Sequence, residues 1–278
     1  MRAPFADSPE FQRLLRHDPG VDLVRIALEI ARDAYPGLDP APYEARIDAL
    51  AARARERCAA VDKPRRVLGQ INWVLFVEEG FQGNSGEYYD PRNSYLNEVL
   101  DRKTGIPISL AVLYWRLAER LGLGVAGVNL PAHFMLRVGR GDATVFVDPF
   151  HDGALLDRDG CRKQVSRMAG RPVTLTDDQL APCPAAQVVM RMLRNLKAIY
   201  LRNHDYPSAA PVQRRLAALD PGNAAEQRDL GMLFLRLERP AEAIAPLQSF
   251  LDIHPADPAA GEVLGLLRAA RRDVAMRN

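Results

Sequence analysis

Apolar residues recur at helical spacing through the first 80 residues of the chain. One run begins at Val21 and ends at the Pro36-Gly37 pair, because proline and glycine together stop a helix. Two further runs predict helices over residues 42–60 and 63–78. The pattern indicates a helical lead-in over about residues 1–80.

The pattern changes after Gly80. Residues 81–94 are rich in Gly, Asn, Asp and Pro, which is typical of a long ordered loop. A helix follows from Pro107, a favoured residue of the first turn, to Gly122. Short β-branched and aromatic runs over residues 125–130, 133–138 and 144–150 then predict sequential antiparallel strands. Charged and Gly-containing loops are expected from there to about residue 182. The order of elements predicts an α+β domain.

The chain from Ala185 onward reads as helical, which places a predicted domain border near residue 183. Within this part, residues 220–223 (DPGN) recur 34 positions later as residues 254–257 (HPAD). A 34-residue period is the signature of tetratricopeptide repeats, whose helix pairs stack on one another. We therefore predict a first domain over 1–183 and an all-α repeat domain over 184–278, with two units at about 190–257 and a capping helix.

Composition and charge limit the function. Thirty-seven basic residues against 35 acidic ones leave a formal net charge of +2, so we expect no nucleic-acid binding. The longest apolar runs are too short for a membrane span, and the N-terminus lacks the pattern of a signal peptide. The three cysteines are widely spaced, without a CxxC pair. These features predict a cytoplasmic protein with no metal or cofactor.

Three polar residues lie at positions that suit a catalytic site. Ser109 lies in the first turn of the predicted helix, where unsatisfied amides and the helix dipole stabilise a developing anion. His133 begins one predicted strand and Asp148 ends the next, so adjacent antiparallel strands can bring them together. The order hydroxyl, His, Asp matches papain-like and transglutaminase-like folds rather than α/β-hydrolases, and Ser109 has no GxSxG elbow.

Several segments resemble the bacterial SirB-type family. They are YYDP at residues 88–91, NSYL at 93–96, GIPISL at 105–110, GVNLPAHF at 127–134 and DPF at 148–150. The resemblance implies a transglutaminase-like domain joined to C-terminal tetratricopeptide repeats, a cytoplasmic location, and a regulatory or interaction role. It also implies that Ser109 stands where an active superfamily member has Cys, with His133 and Asp148 in the His and Asp positions.

Two departures bear on activity. Ser109 excludes thiol chemistry at its position, because a serine hydroxyl must lose its proton during attack whereas a thiol can ionise beforehand. Pro107 replaces the glycine that active members place two residues before their cysteine.

Three interpretations follow. The first is a serine-dependent hydrolase or acyl transferase in which Ser109 attacks an amide or ester, His133 is the general base, and Asp148 orients the imidazole. The second is a former enzyme fold used for binding, a pseudoenzyme whose polar trio is a hydrogen-bonded network or a peptide cleft. The third is that no site exists. We predict mainly a protein-interaction or regulatory scaffold with a protein or peptide partner on the repeats.

The turn-rich loop offers weaker candidates. Asn84, Tyr88, Tyr89 and Asn93 carry aromatic and amide groups that suit peptide recognition on a fixed loop. The same groups can instead hold the loop's own backbone. His151 and Asp152 follow the Asp148 motif, but a single His-Asp pair is weak support for a metal site, and none is predicted.

Overall fold

The computed structural model describes residues 5–58 and 63–277. Residues 1–4, 59–62 and 278 lie outside these ranges. The parts of the predicted helices and domains that fall on these residues therefore lie outside the described structure. Contacts within the chain divide it into two units, Met1–Met192 and Leu193–Asn278. The division lies inside a helix that begins at Ala185. The domain border near residue 183 stays a prediction.

Four helices form the lead-in, and local sequence explains where they begin. The side chain of Asp22 accepts hydrogen bonds from two first-turn amides of the second helix, and that of Asp39 accepts one from the amide of Ala41 in the third. Proline stands in the first turn of the other two. The helices are α1 (Pro9–Leu15), α2 (Leu23–Ala31), α3 (Pro40–Arg57) and α4 (Pro64–Asn72).

The predicted third helix, over residues 63–78, is not a single α-helix. Its last six residues, Trp73–Glu78, form a π-helix. At the junction, the side-chain nitrogen of Asn72 donates to the carbonyl of Gly153 at 2.8 Å, and its side-chain oxygen accepts from the Tyr114 hydroxyl at 2.8 Å. These partners are distant in sequence, so helical periodicity alone does not predict the change of winding.

The central part of the first unit is a four-stranded antiparallel sheet with helix α6 (Pro107–Arg120) against strands β3 and β4. Before it lie α5 (Leu96–Arg102) and a short parallel pair, β1 (Gln82–Gly83) with β2 (Thr104–Gly105). The sheet has the order β3-β4-β5-β6, which confirms the predicted sequential antiparallel strands. Its strands are β3 (Val125–Leu130), β4 (His133–Val138), β5 (Val145–Asp148) and β6 (Ala154–Leu156).

The two faces of this sheet pack against different helices. Met135 and Phe146 belong to a buried cluster that also contains Cys161 and Val165. On the other face, a side chain at Gly127 would collide with Trp115 of α6. Since side chains alternate along a strand, His133 shares the Met135 face rather than the face that Trp115 contacts.

The expectation of loops between Phe150 and residue 182 is wrong. Strand β6 and helix α7 (Arg158–Ala169) lie there. The side chain of Asp157 caps α7 by accepting from the amide of Gly160 at 2.7 Å. Only Cys161, Gln164 and Val165 of this helix are buried, so its sequence is mostly polar. A short apolar stripe and a glycine in the first turn make such a helix resemble a loop in sequence.

The C-terminal helices form hairpins that repeat closely. Asp220 and His254 have matching backbone angles, with φ/ψ of −132°/68° and −133°/69°. His204 and Glu238, also 34 residues apart, both have a positive φ, of 55° and 56°. One apolar cluster runs through the hairpins. The helices are α8 (Ala185–Arg202), α9 (Tyr206–Leu219), α10 (Ala224–Arg236), α11 (Pro240–Ile253) and α12 (Ala260–Arg277).

The predicted fold class is confirmed, with an α+β part followed by an all-α repeat part. Within residues 5–58 and 63–277, the helices are all too short or too polar to cross a bilayer.

Candidate functional site

The strand register brings His133 and Asp148 together. Strands β4 and β5 pair Leu136 with Val147, and continuing this register by one residue sets Asp148 opposite Met135. His133 lies two residues from Met135, so its side chain is on the same face of the sheet. The Nε2 atom of His133 is 2.8 Å from Oδ2 of Asp148, and both side chains are completely buried.

The buried carboxyl of Asp148 is ionised at neutral pH. Burial raises its pKa, but hydrogen bonds from His133 and His151 outweigh this effect, and the resulting pKa is about 2. A carboxylate can only accept, so Nε2 of His133 donates to it, and the second ring nitrogen is Nδ1. This Nδ1 is buried and has no hydrogen-bond partner among the described residues. Within the described residues, no nucleophile is therefore hydrogen-bonded to His133 Nδ1.

Ser109 does not complete the trio. It lies in the first turn of α6 as predicted, with 1% of its surface exposed. Its hydroxyl donates to the carbonyl of Asn93 at 2.6 Å and accepts from the amide of Ile106 at 3.0 Å. Among the described residues, His133 contacts Asp148 through Nε2 and has no hydrogen-bond partner at Nδ1, so the Ser109 hydroxyl is not hydrogen-bonded to the imidazole. The nucleophilic role of Ser109 stays a prediction, without a Ser109–His133 hydrogen bond to support it.

Two features of the chain explain where the Ser109 hydroxyl lies. A side chain at Gly105 would come within 2.8 Å of Ser109 Oγ, so only glycine leaves room for the hydroxyl in this turn. His133, in contrast, lies on the sheet face that packs against Cys161 and Val165. The serine is thus held by its own loop and helix.

His151 is a member of the cluster to which sequence reasoning gave no role. Its Nδ1 lies 2.8 Å from Asp148 Oδ2, the same oxygen that His133 contacts. The hydrogen bond to Asp148 raises the pKa of His151 above its ordinary value of 6.5, although partial burial opposes this. The Gln164 amide nitrogen is 2.9 Å from the His151 ring nitrogens. The signal for His151 was its position three residues after Asp148, across a turn begun by Pro149.

Asn84 and Asn93, predicted as candidate ligand contacts, hold the loop together. The side-chain nitrogen of Asn84 donates to Asn93 Oδ1 at 3.2 Å, and the side-chain nitrogen of Asn93 donates to the carbonyl of Glu87 at 2.7 Å. Asn93 is completely buried. Their side chains are therefore engaged in the backbone-holding role that the sequence left open as an alternative.

Tyr88 and Tyr89 lie at the surface end of an aromatic chain. The rings of Tyr88 and Tyr89 are 5.4 Å apart, and Tyr88 is 6.3 Å from Phe150, which in turn is 6.3 Å from His133. Tyr89 is 56% exposed, whereas burial raises the pKa of Tyr88. A peptide contact is thus still a proposal for these two tyrosines.

The cysteines are unsuited to replace the missing nucleophile. Burial raises the pKa of Cys161 to about 12 and that of Cys183 to about 11, so both thiols are protonated at neutral pH. Burial also raises the pKa of Cys58.

Two family models match the chain. The transglutaminase-like superfamily model matches residues 41–194, and a tetratricopeptide repeat model matches residues 196–268. These matches confirm the transglutaminase-like first part and the helical repeats that followed from the sequence resemblance.

The chain is similar to bacterial proteins over most of its length and to one human protein over a shorter segment. A UPF0162 protein of Xylella fastidiosa is 35% identical over 243 residues, which cover 86% of each chain. One of Vibrio cholerae is 30% identical over 67% of this chain and 69% of its own length. The human protein F-box only protein 21 is 39% identical over 106 residues, which span 38% of this chain and 17% of that protein. The chain therefore belongs to the UPF0162, or SirB-type, family of bacterial transglutaminase-like proteins with tetratricopeptide repeats.

Proposed function

We propose that this chain is a protein-interaction protein that binds a protein or peptide partner through its repeats, and that its first domain binds rather than cleaves. The observation that carries the proposal is the hydrogen bonding of Ser109, whose hydroxyl contacts Asn93 and Ile106 while His133 Nδ1 has no described partner. A serine-dependent hydrolase or acyl transferase would need that hydroxyl at the imidazole. A cytoplasmic location stays a prediction.

The first helices of the two hairpins form the proposed partner surface. Lys197 of α8 lies between two acidic residues of α10, with Nζ 3.0 Å from Glu226 and 2.8 Å from Asp229. These ion pairs hold the two helices side by side. Lys197 also stands 34 residues before Gly231, so the first repeat has a charged side chain where the second has none.

Arginines recur on this surface. Arg194 and Arg228 occupy equivalent positions 34 residues apart, and their side chains are 50% and 36% exposed. Arg194 lies 3.5 Å from Glu226, and Arg228 lies 3.0 Å from Asp229. Both guanidinium groups are at least one-third exposed although Glu226 is buried, so each arginine has surface available for contacts with a polar partner. We assign the exposed side of α8 and α10 to partner binding.

Photo-cross-linking in bacterial cells tests the assignment. A photoreactive amino acid replaces the exposed Ala198 of α8 or Ala225 of α10, and Ala245, exposed on α11, is the matched control. The proposal predicts the same cross-linked partner from Ala198 and Ala225 and none from Ala245. Equal cross-linking from all three positions, or from none, would contradict it.

The identified partner then allows a quantitative test with purified proteins. The double variant Arg194→Glu/Arg228→Glu should weaken binding by about tenfold or more, because two charges on the surface reverse. Ser109→Ala should leave the dissociation constant unchanged. Loss of binding in a folded Ser109→Ala protein, with the double variant binding normally, would overturn the proposal.

A further inference from the structure

Three side chains from the first unit converge on one point. The ligand atoms of His133, Asp148 and His151 all lie within 4.8 Å of one another. His133 begins β4, Asp148 ends β5, and His151 lies in the turn that follows. Both imidazoles contact the same carboxylate oxygen, Oδ2, at 2.8 Å. The two nitrogens and this oxygen thus have the arrangement of a three-residue ligand set.

We propose that His133, Asp148 and His151 bind a divalent transition-metal ion of the zinc class. Two imidazole nitrogens and one carboxylate oxygen are ligands that zinc takes in sites with three protein residues and one open position. Tetrahedral bonds of zinc length separate ligand atoms by about 3.3 Å. The two 2.8 Å contacts would therefore lengthen by about half an ångström as the ion replaces the shared protons.

The protons displaced by the ion can be accommodated. When His133 Nε2 and His151 Nδ1 ligate, each ring must be neutral and carry its remaining proton on the other nitrogen, and a ring that is protonated beforehand releases one proton to solvent. For His133 that nitrogen is Nδ1, which has no other hydrogen bond in the described part of the chain. For His151 that nitrogen is Nε2, which lies 2.9 Å from the Gln164 amide nitrogen, so this amide must turn away when the ion binds.

The surroundings orient the carboxylate and leave one side open. Asp148 Oδ1 accepts from the amide of Phe150 at 3.1 Å, which leaves Oδ2 for the cluster. His133 and Asp148 are completely buried, whereas the His151 side chain is 41% exposed. An ion therefore enters past His151, and a water or a donor atom of a partner completes its coordination on that side.

Metal binding to the full chain tests the site. Chelator-treated protein is titrated with Zn²⁺ in competition with a chromophoric chelator, and with Co²⁺ while its visible absorption is recorded. We expect one ion per chain, Co²⁺ bands of a nitrogen- and oxygen-ligated ion, and a higher melting temperature with Zn²⁺. His151→Ala should weaken Zn²⁺ binding by about tenfold or more.

Two further variants keep the result decisive. His204→Asn removes an exposed histidine of the repeats at a positive φ that Asn tolerates, and it should bind Zn²⁺ as the unmodified protein does. Asp148→Asn preserves the size of the third ligand and should lose binding while circular dichroism shows a folded chain. The proposal is overturned if the folded unmodified protein binds no Co²⁺, or if His151→Ala and folded Asp148→Asn retain full affinity.

Discussion

The hydroxyl of Ser109 donates to the backbone carbonyl of Asn93 at 2.6 Å, across 16 residues of sequence, and so ties helix α6 to the turn-rich loop. Replacing Ser109 by Ala removes this bond and the one from the Ile106 amide, which leaves the Asn93 carbonyl and the Ile106 amide with only their long mutual hydrogen bond of 3.4 Å. We expect the free energy of unfolding to fall by about 1–3 kcal/mol. Both tryptophans, Trp73 and Trp115, lie in the first unit, so urea unfolding followed by tryptophan fluorescence measures the change.

Ser208 provides the matched control for this substitution. It is the third residue of α9, as Ser109 is of α6, and both helices have proline in their first turn. Ser208 lies in the second unit, which contains no tryptophan, so far-UV circular dichroism follows urea unfolding of this control, and Ser208→Ala should change stability by no more than about 0.5 kcal/mol. A fluorophosphonate probe should label neither the unmodified protein nor Ser109→Ala. Labelling that disappears in Ser109→Ala would restore the serine-enzyme interpretation.

Asn93 should be required for the loop's stability rather than for ligand binding. Asn93→Ala removes hydrogen bonds to Glu87 and Asn84 at a completely buried position, and we expect a loss of about 2 kcal/mol. The exposed Tyr89 is the comparison, and Tyr89→Ala should shift unfolding by no more than about 0.5 kcal/mol. Equal destabilisation by the two substitutions would be inconsistent with this view of the loop.

Gly231 of α10 packs directly against Leu247 of α11. A Cβ at this position would lie 2.5 Å from Cγ and Cδ2 of Leu247, which is completely buried. Gly231→Ala should therefore destabilise the repeats by about 1–3 kcal/mol. At Gly265 of α12 a Cβ meets open space, so Gly265→Ala should stabilise by about 0.5–1 kcal/mol. Far-UV circular dichroism during urea unfolding would show the opposite signs, and a shared sign would refute the packing argument.

Glu226 should make the stability of the repeats depend on pH. Burial raises the pKa of this carboxyl, but hydrogen bonds from Gln213 and Lys197 outweigh burial, and the pKa lies below its ordinary value of 4.5. A carboxyl with a lowered pKa in the folded state stabilises fully above its unfolded pKa and loses this contribution as pH falls through the folded value. The stabilisation should thus be complete at neutral pH and decline below about pH 4.5.

The variant Glu226→Gln isolates this contribution because its side chain does not titrate. At pH 7 it should be about 2 kcal/mol less stable than the unmodified protein, since it loses the charge that Lys197 contacts. The difference in urea midpoint between Glu226→Gln and the unmodified protein should narrow as the pH is lowered from 4.5 toward the pKa of Glu226 in the folded state. A difference that stays constant over this range would show that Glu226 does not titrate as described.

The local pattern of apolar and polar residues was sufficient to predict most helices and strands of the fold. Strand alternation predicted β3, β4 and β5, and the 34-residue recurrence predicted hairpins whose turns at Asp220 and His254 have nearly equal backbone angles. These features depend on residues close in sequence or on a repeated set of them. Helix α7 was missed because its buried stripe is short and its other residues are polar.

The sequence by itself determined that His133 and Asp148 lie on neighbouring strands, that Ser109 lies in a first helical turn, and that the C-terminal helices repeat. Only the tertiary structure decided that the Ser109 hydroxyl bonds to Asn93 and that His151 joins Asp148. The physical reason is that secondary structure follows from the order of side chains along the chain. The partner of a hydroxyl or an imidazole depends instead on loop positions and side-chain rotamers, which packing between distant segments sets.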